Sequence, residues 1–215
     1  MTEPKPPLEP KPLLGAPGAQ LVIISGPSGV GKDTVIAALR ERPRDPDYHY
    51  VVTCTTRAPR PGEVPGLSYQ FLTPGEFLEL RDAGELLEYA EVHGNWYGTP
   101  RHEVADALAE GHDVILKIDV QGASAVKQRA PDALLVFLVP PSMEELFQRL
   151  RSRATETADE LELRQRNAAI ELARQGDYDR VVVNETNLQA RTAAEIEAII
   201  EQEKRRNADR RVRIT

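Results

Sequence analysis

Cysteine is almost absent. Cys54 is the only one in 215 residues, so no internal disulfide and no cysteine-rich metal site can form. That usage fits a reducing, cytoplasmic location. Long apolar runs are lacking too: none reaches the length needed to cross a bilayer, and no membrane partner is expected. An excess of positive charge is also missing. The formal net charge of -7 argues against a protein that coats nucleic acid through its whole surface, although a locally basic pocket remains compatible with it. No internal repeat is present, and nothing in the sequence bears on oligomeric state. What remains is an ordinary globular composition, 28% charged and 40% hydrophobic, in a chain long enough to bury a core.

The first eighteen residues have few large apolar side chains but carry Pro4, Pro6, Pro7, Pro10, Pro12 and Pro17. A secretory signal needs an apolar central stretch that this segment lacks, so residues 1–18 are expected to form a disordered, proline-rich tail. From Gln20 the pattern changes. Leu21-Val22-Ile23-Ile24 is a continuous apolar run of the kind found in strands covered on both faces of a parallel sheet, and similar runs recur at 114–116, 134–139 and 181–183. Between them lie helical patterns: Ser142-Met143-Glu144-Glu145 reads as a capping box, Thr99-Pro100 as a helix start, and Ile196, Ile199 and Ile200 as the stripe of a last helix. Strands alternating with helices predict a parallel α/β core with helices on both faces. Residues 47–97 break that rhythm. Strands expected at Val51-Val52-Thr53 and Tyr69-Gln70-Phe71, and a helix capped by Thr73-Pro74-Gly75-Glu76, make this an inserted α+β lobe suited to a second substrate. The basic residues Lys204, Arg205, Arg206, Arg210, Arg211 and Arg213 read as a frayed helix end followed by a basic tail over 207–215.

One motif carries chemistry by itself. Gly26-Pro27-Ser28-Gly29-Val30-Gly31-Lys32 follows an apolar strand and precedes an amphipathic helix marked by Val35, Ile36 and Leu39. In that setting glycines let successive backbone N–H groups curl around phosphate oxygens, and the helix start adds a favourable partial charge. Lys32 then supplies a mobile charge for the β- and γ-phosphates of a bound triphosphate. The segment Gly26 to Thr34 departs from the usual pattern at Asp33, where a Ser or Thr would offer a hydroxyl to magnesium. Asp33 is expected to sit harmlessly in the first helical turn, leaving Mg2+ to phosphate oxygens and water.

Four further polar clusters stand out: 53–63, Glu88 with Tyr89, 94–99 (Gly-Asn-Trp-Tyr-Gly-Thr), and Ile118-Asp119-Val120-Gln121-Gly122. With the phosphate loop and the arginine-rich run 149–156, their order and spacing resemble the guanylate kinase family from about Leu21 to the last helix. The resemblance implies a P-loop kinase core over 19–46 and 98–206, a GMP-binding lobe over 47–97, and a helical lid at about 149–166. It implies phosphorylation of GMP, and of dGMP, by ATP with Mg2+. Arg57, Arg60, Tyr69 and Tyr97 match positions that hold the GMP phosphate. Glu88, Thr53, Thr99 and Asp119 match positions that read guanine, whose adjacent N1–H and 2-amino donors suit one carboxylate. Arg149, Arg153 and Arg164 match the lid arginines, with Lys32 and Arg57 serving catalysis. Asn184 is expected near adenine. Lys117 stands where the family usually has an acidic residue, and an ion pair between Lys117 and Asp33 is a further expectation. Two alternatives stay open at this stage: a non-catalytic interaction module of similar fold, and a kinase for another small phosphate.

Overall fold

The computed structural model describes residues 13–60, 62–92, 94–151 and 158–215. The chain opens with β1 (Leu13–Leu14), then β2 (Leu21–Ser25), which is buried throughout, and α1 (Lys32–Arg40). β3 (His49–Tyr50) precedes a smaller layer made of β4 (Cys54–Thr55), β5 (Gln70–Phe71), α2 (Pro74–Asp82), β6 (Leu86–Val92) and β7 (Asn95–Pro100). The chain then returns through α3 (Arg101–Ala109), β8 (Val114–Lys117), α4 (Val120–Arg129) and β9 (Leu134–Val139). It ends with α5 (Met143–Arg151), α6 (Ala158–Leu172), β10 (Arg180–Val183), α7 (Gln189–Arg206) and β11 (Arg213–Ile214).

The main sheet has the order β10-β9-β2-β8-β3, and every neighbouring pair is parallel. Its central strands send alternate side chains to opposite faces, as a pleated strand must. Leu21, Ile23, Val114, Leu116 and Leu135 pack with Val104 and Leu108 of α3 and Val126 of α4. Val22, Ile24, Ile115, Val136 and Leu138 pack with Val35 and Leu39 of α1 and Ile196 and Ile200 of α7. Helices therefore cover both faces, as the continuous apolar runs predict.

A second sheet, β5-β4-β7-β6, is mixed: β4 pairs parallel with β5 and antiparallel with β7, which pairs antiparallel with β6. Its core gathers Cys54, Phe77 and Leu86, with Trp96 stacked on Phe77. The capping box of α2 forms as read: Thr73 Oγ1 accepts from the Glu76 N–H, and Glu76 accepts from the Thr73 N–H. At α5 only half of such a box forms. Ser142 Oγ accepts from the Glu145 N–H, while the Glu145 carboxylate turns to Arg149 and Thr186 instead.

Four boundaries differ from expectation. No strand forms at Val51-Val52-Thr53, because the chain crosses there from one sheet to the other; β3 lies before it on the main sheet, and β4 after it on the lobe. The lobe's own sheet thus begins at Cys54. Residues 13–18 do not form a disordered tail, because Leu13–Leu14 pairs antiparallel with Arg213–Ile214; the rest of that expectation, over 1–12, lies outside the described residues. The carboxyl terminus is correspondingly a strand and not only a basic tail. Val212 and Ile214 bury into the core beside Leu108, and Arg213 between them faces out. Finally, Pro100 is the N-cap residue of α3, and Thr99 still belongs to β7.

Candidate active site

β2 runs between β8 and β9, and the chain leaves its carboxyl end as the glycine-rich loop. Ligands of parallel sheets collect outside these carboxyl ends. Gly31 is the N-cap residue of α1 in the left-handed region, at φ 100°, with no side-chain cap. The first amides of α1 are therefore left for an acceptor other than a capping side chain. A Cβ on Gly31 would fall 2.6 Å from Asn184 Nδ2, so glycine is required by proximity as well as by backbone. Asn184 is buried, with Nδ2 donating to the Val30 carbonyl and Oδ1 accepting from Thr192. Its amide shapes the loop from beneath. Lys32 Nζ bonds back to the carbonyls of Gly26 (2.6 Å) and Pro27 (3.3 Å). Burial pulls this ammonium below its ordinary pKa, against the raising influence of Glu171, Asp119 and Asp33.

The loop forms one end of a cavity of about 500 Å³. Glu88 lies across it, on β6. A register shift between Leu86 and Glu88 sends three consecutive side chains to three destinations: Leu86 to the lobe core, Leu87 to the main core, and Glu88 to the cavity. Glu88 is only 4% exposed. Thr99, its cross-strand partner, donates to Oε1 at 2.5 Å. Gly122 allows Oε2 a close approach, since a Cβ there would lie 2.8 Å from it. Burial pushes the Glu88 carboxyl up to about 7, with the Thr99 bond lowering it and the Asp119 charge adding to the rise. Asp119 caps α4 through a bond from the Gly122 N–H and also lines the cavity, as does Thr53.

Between these ends stand Arg57, Arg60, Tyr69 and Tyr97. Arg57 Nε donates to the Tyr97 hydroxyl at 3.3 Å, and its Nη2 bonds both oxygens of Glu63 at 2.8 and 3.0 Å. Tyr69 and Tyr97 meet edge to face. The side chain of Arg60 is exposed at the rim. The expected pair between Lys117 and Asp33 forms, with Nζ to Oδ1 at 2.5 Å. The cavity therefore combines an anion cradle, a ring of cations and phenols, and a deeply buried carboxylate with a hydroxyl donor beside it.

The guanylate kinase family model matches residues 18–203. The chain belongs to the guanylate kinase family. Guanylate kinase from Mycobacterium bovis is 51% identical to it over 174 residues, covering 79% of this chain and 83% of that one. Guanylate kinase from a Synechococcus strain is 45% identical over 181 residues, covering 84% and 82%. A crystal structure of guanylate kinase from Anaplasma phagocytophilum superposes with a TM-score of 0.72 at 32% identity, covering 91% of each chain.

The three arginines expected of a lid are only partly gathered at the cavity. Arg164 lines it and donates to Ser28 Oγ at 3.2 Å. Arg149 is placed differently: it donates to the carbonyls of Val30 and Asn184 and to Thr186, and pairs with Glu145, tying the phosphate loop to the loop after β10. Arg153 lies outside the described residues. Two carboxylates at the site escape the sequence reading. Glu171 Oε2 accepts from the Ser28 N–H at 2.9 Å. Its signal was its spacing, seven residues after Arg164 and hence on the same face of α6. Glu63, which holds Arg57, is signalled only by its place after Arg60 in the turn.

Proposed function

We propose that this chain transfers the γ-phosphoryl group of ATP to the phosphate of GMP. The observation that carries this is the pairing, across one cavity, of an uncapped P-loop with the buried Glu88–Thr99 pair. In this reading the backbone N–H groups between Gly26 and Thr34, Pro27 having none, hold the ATP phosphates, and Lys32 leaves its carbonyl partners to follow the transferred charge. Arg57, Arg60, Tyr69 and Tyr97 hold the GMP phosphate dianion with donors of fixed geometry. Ionised Glu88 accepts from N1–H and the 2-amino group of guanine, while Thr53, Thr99 and Asp119 complete the base pocket. Adenine has no such donor pair and would leave a buried carboxylate unmatched, which is a strong ground for rejection.

The acceptor phosphate is already anionic near neutrality, so no general base is needed and the protein acts through positioning and charge neutralisation. Arg164, from α6, adds a cation at Ser28, and closure of α5 and α6 over the phosphates would exclude water. Among the described residues no cluster of three metal-ligating side chains exists, and Asp33 is already engaged by Lys117. These residues would fit a Mg2+ ion brought in with ATP rather than one caged by the protein, and when bound it would supply charge neutralisation at the phosphates. Asp33 and Asp119, which line the cavity, are the carboxylates that would be available to hold its waters. A cytoplasmic location goes with this reading. No helix among the described residues is long and apolar enough to cross a membrane.

The non-catalytic module is not favoured, because the loop, Lys32 and the uncapped start of α1 are all in place. Initial rates of ADP formation with GMP, dGMP, AMP, UMP and CMP test the proposal. Turnover confined to the guanine nucleotides is expected. Equal rates with AMP, or no turnover with any, would refute it.

A further inference from the structure

We propose that Lys117 binds the phosphate of GMP directly, serving as the ammonium that joins the two substrate halves of the cavity. The inference rests on the GMP reading above and extends it to a residue outside the matched set. Lys117 ends β8, and its backbone stands in register with Ile24 of β2, two residues before the phosphate loop. From there its side chain reaches into the cavity, where three elements meet. Nζ contacts Asp33 on α1 and lies 4.8 Å from the centre of the Tyr69 ring, which comes from the lobe. The Arg57 guanidinium lies 5.5 Å from the centre of the same ring. Two cations therefore approach Tyr69, one carried by the lobe and one by the central sheet. A phosphate dianion at the Tyr69 and Tyr97 hydroxyls would meet both.

The pair with Asp33 does not by itself account for Lys117. Its side chain is 20% exposed, whereas that of Asp33 is 71% exposed. A carboxylate so well solvated gains little from a partner, since exposed ion pairs contribute roughly 0–1 kcal/mol. Burying an ammonium is costly unless its charge is used. The site keeps that charge firmly: burial draws Lys117 down, but Asp33 and Tyr69 outweigh it, and the net displacement is upward. Lys32 moves the opposite way, and the Lys117 charge is among the causes. Of the two lysines facing the cavity, Lys117 is the one held most securely as a cation.

The test is GMP affinity measured calorimetrically in EDTA, without ATP, so that neither metal nor turnover contributes. The proteins are wild type, K117M, D33N and the double variant, with guanosine as a ligand that lacks the phosphate. K117Q, which keeps a polar side chain but no charge, serves as a second variant should K117M fold poorly. Loss of a charge-assisted bond to phosphate predicts about a ten- to hundredfold weaker GMP affinity in K117M and K117Q. The double variant should be equally weak, and guanosine binding should stay unchanged. If Lys117 merely neutralises Asp33, the double variant regains wild-type GMP affinity, and the inference is overturned. Wild-type affinity in K117M and K117Q overturns it as well. Failure of the wild-type protein to bind GMP would instead refute the GMP reading, and this inference with it.

Discussion

Replacing Glu88 with glutamine separates the cost of burying this carboxylate from its use. Glu88 is almost fully buried, and its carboxyl rises from the ordinary 4.5 to about 7. At about 1.4 kcal/mol for each pH unit, that rise corresponds to about 3 kcal/mol. The sign follows from proton uptake. Below pH 4.5 both folded and unfolded chains carry the proton, and this group takes nothing from stability. Between pH 4.5 and 7 the unfolded chain ionises while the folded chain resists, so stability falls as pH rises and stays low above 7. The amide of E88Q does not titrate, yet its oxygen can still accept the Thr99 hydroxyl. Urea unfolding of both proteins from about pH 4.5 to 8 should therefore show wild type losing about 3 kcal/mol relative to E88Q across that window. The same substitution should weaken GMP by about a hundredfold while changing ATP affinity by less than about twofold. GMP binding to wild type should also weaken as pH falls through about 7, beyond the effect of the phosphate's own protonation, and E88Q should lack that extra slope. A stability difference that stays constant with pH, or equal losses for GMP and ATP, would refute the assignment.

Asp119→Asn should move the wild-type pH–stability transition modestly downward, because the Asp119 charge contributes to the rise of Glu88 but burial contributes more. Asn keeps the cap on α4, whereas Asp119→Ala should also cost about 1 kcal/mol in urea unfolding. Gly31→Ala should abolish ATP binding measured calorimetrically, since its Cβ would meet Asn184 Nδ2 at 2.6 Å on a left-handed backbone; near-normal affinity would contradict the loop geometry. Deleting residues 210–215 should lower stability by about 3–5 kcal/mol, because Val212 and Ile214 are each about 1% exposed. An unchanged urea midpoint would mean that β11 does not hold the terminus to the core.

The parts of the fold that could be read in the sequence are those governed by local chemistry. Buried strands of a parallel sheet must be apolar on both faces, so 21–24, 114–116 and 134–139 declare themselves. The phosphate loop is equally plain, because its glycines and lysine answer to a ligand and not to distant packing. What escaped depends on the third dimension. Val51-Val52-Thr53 has every local mark of a strand, yet it serves as the crossing between two sheets. Val212 and Ile214 alternate with arginines in a period-two pattern, but a charge-based reading of 207–215 hides it. Arg149 and Arg164 look alike along the chain, and only the packing of α5 and α6 turns one toward Val30 and Asn184 and the other toward Ser28. The register shift that frees Glu88 for the cavity depends on pairing with β7, and no residue of β6 announces it.

The site's charges share one arrangement that bears on how substrates enter it. Arg57 holds Glu63 through both carboxylate oxygens, Lys117 holds Asp33, and the Ser28 N–H is taken by Glu171. Each of these three donors, on residues that line the cavity, is matched with a carboxylate of the protein itself. Like charges gathered without such partners would repel one another and strain the cavity, so the carboxylates let cations accumulate in one place. A phosphate must then compete with carboxylates that already occupy good geometry. The exchange favours a ligand carrying two or more charges over a singly charged one, because a single charge gains little over the carboxylate it replaces. On the proposed reading, specificity at the phosphate end would come from displacement of resident anions, while specificity at the base end would come from a carboxylate that is buried before any donor reaches it. The two ends use the same kind of group in opposite ways. Glu63, Asp33 and Glu171 are partners to be released, whereas Glu88 is a partner waiting to be matched.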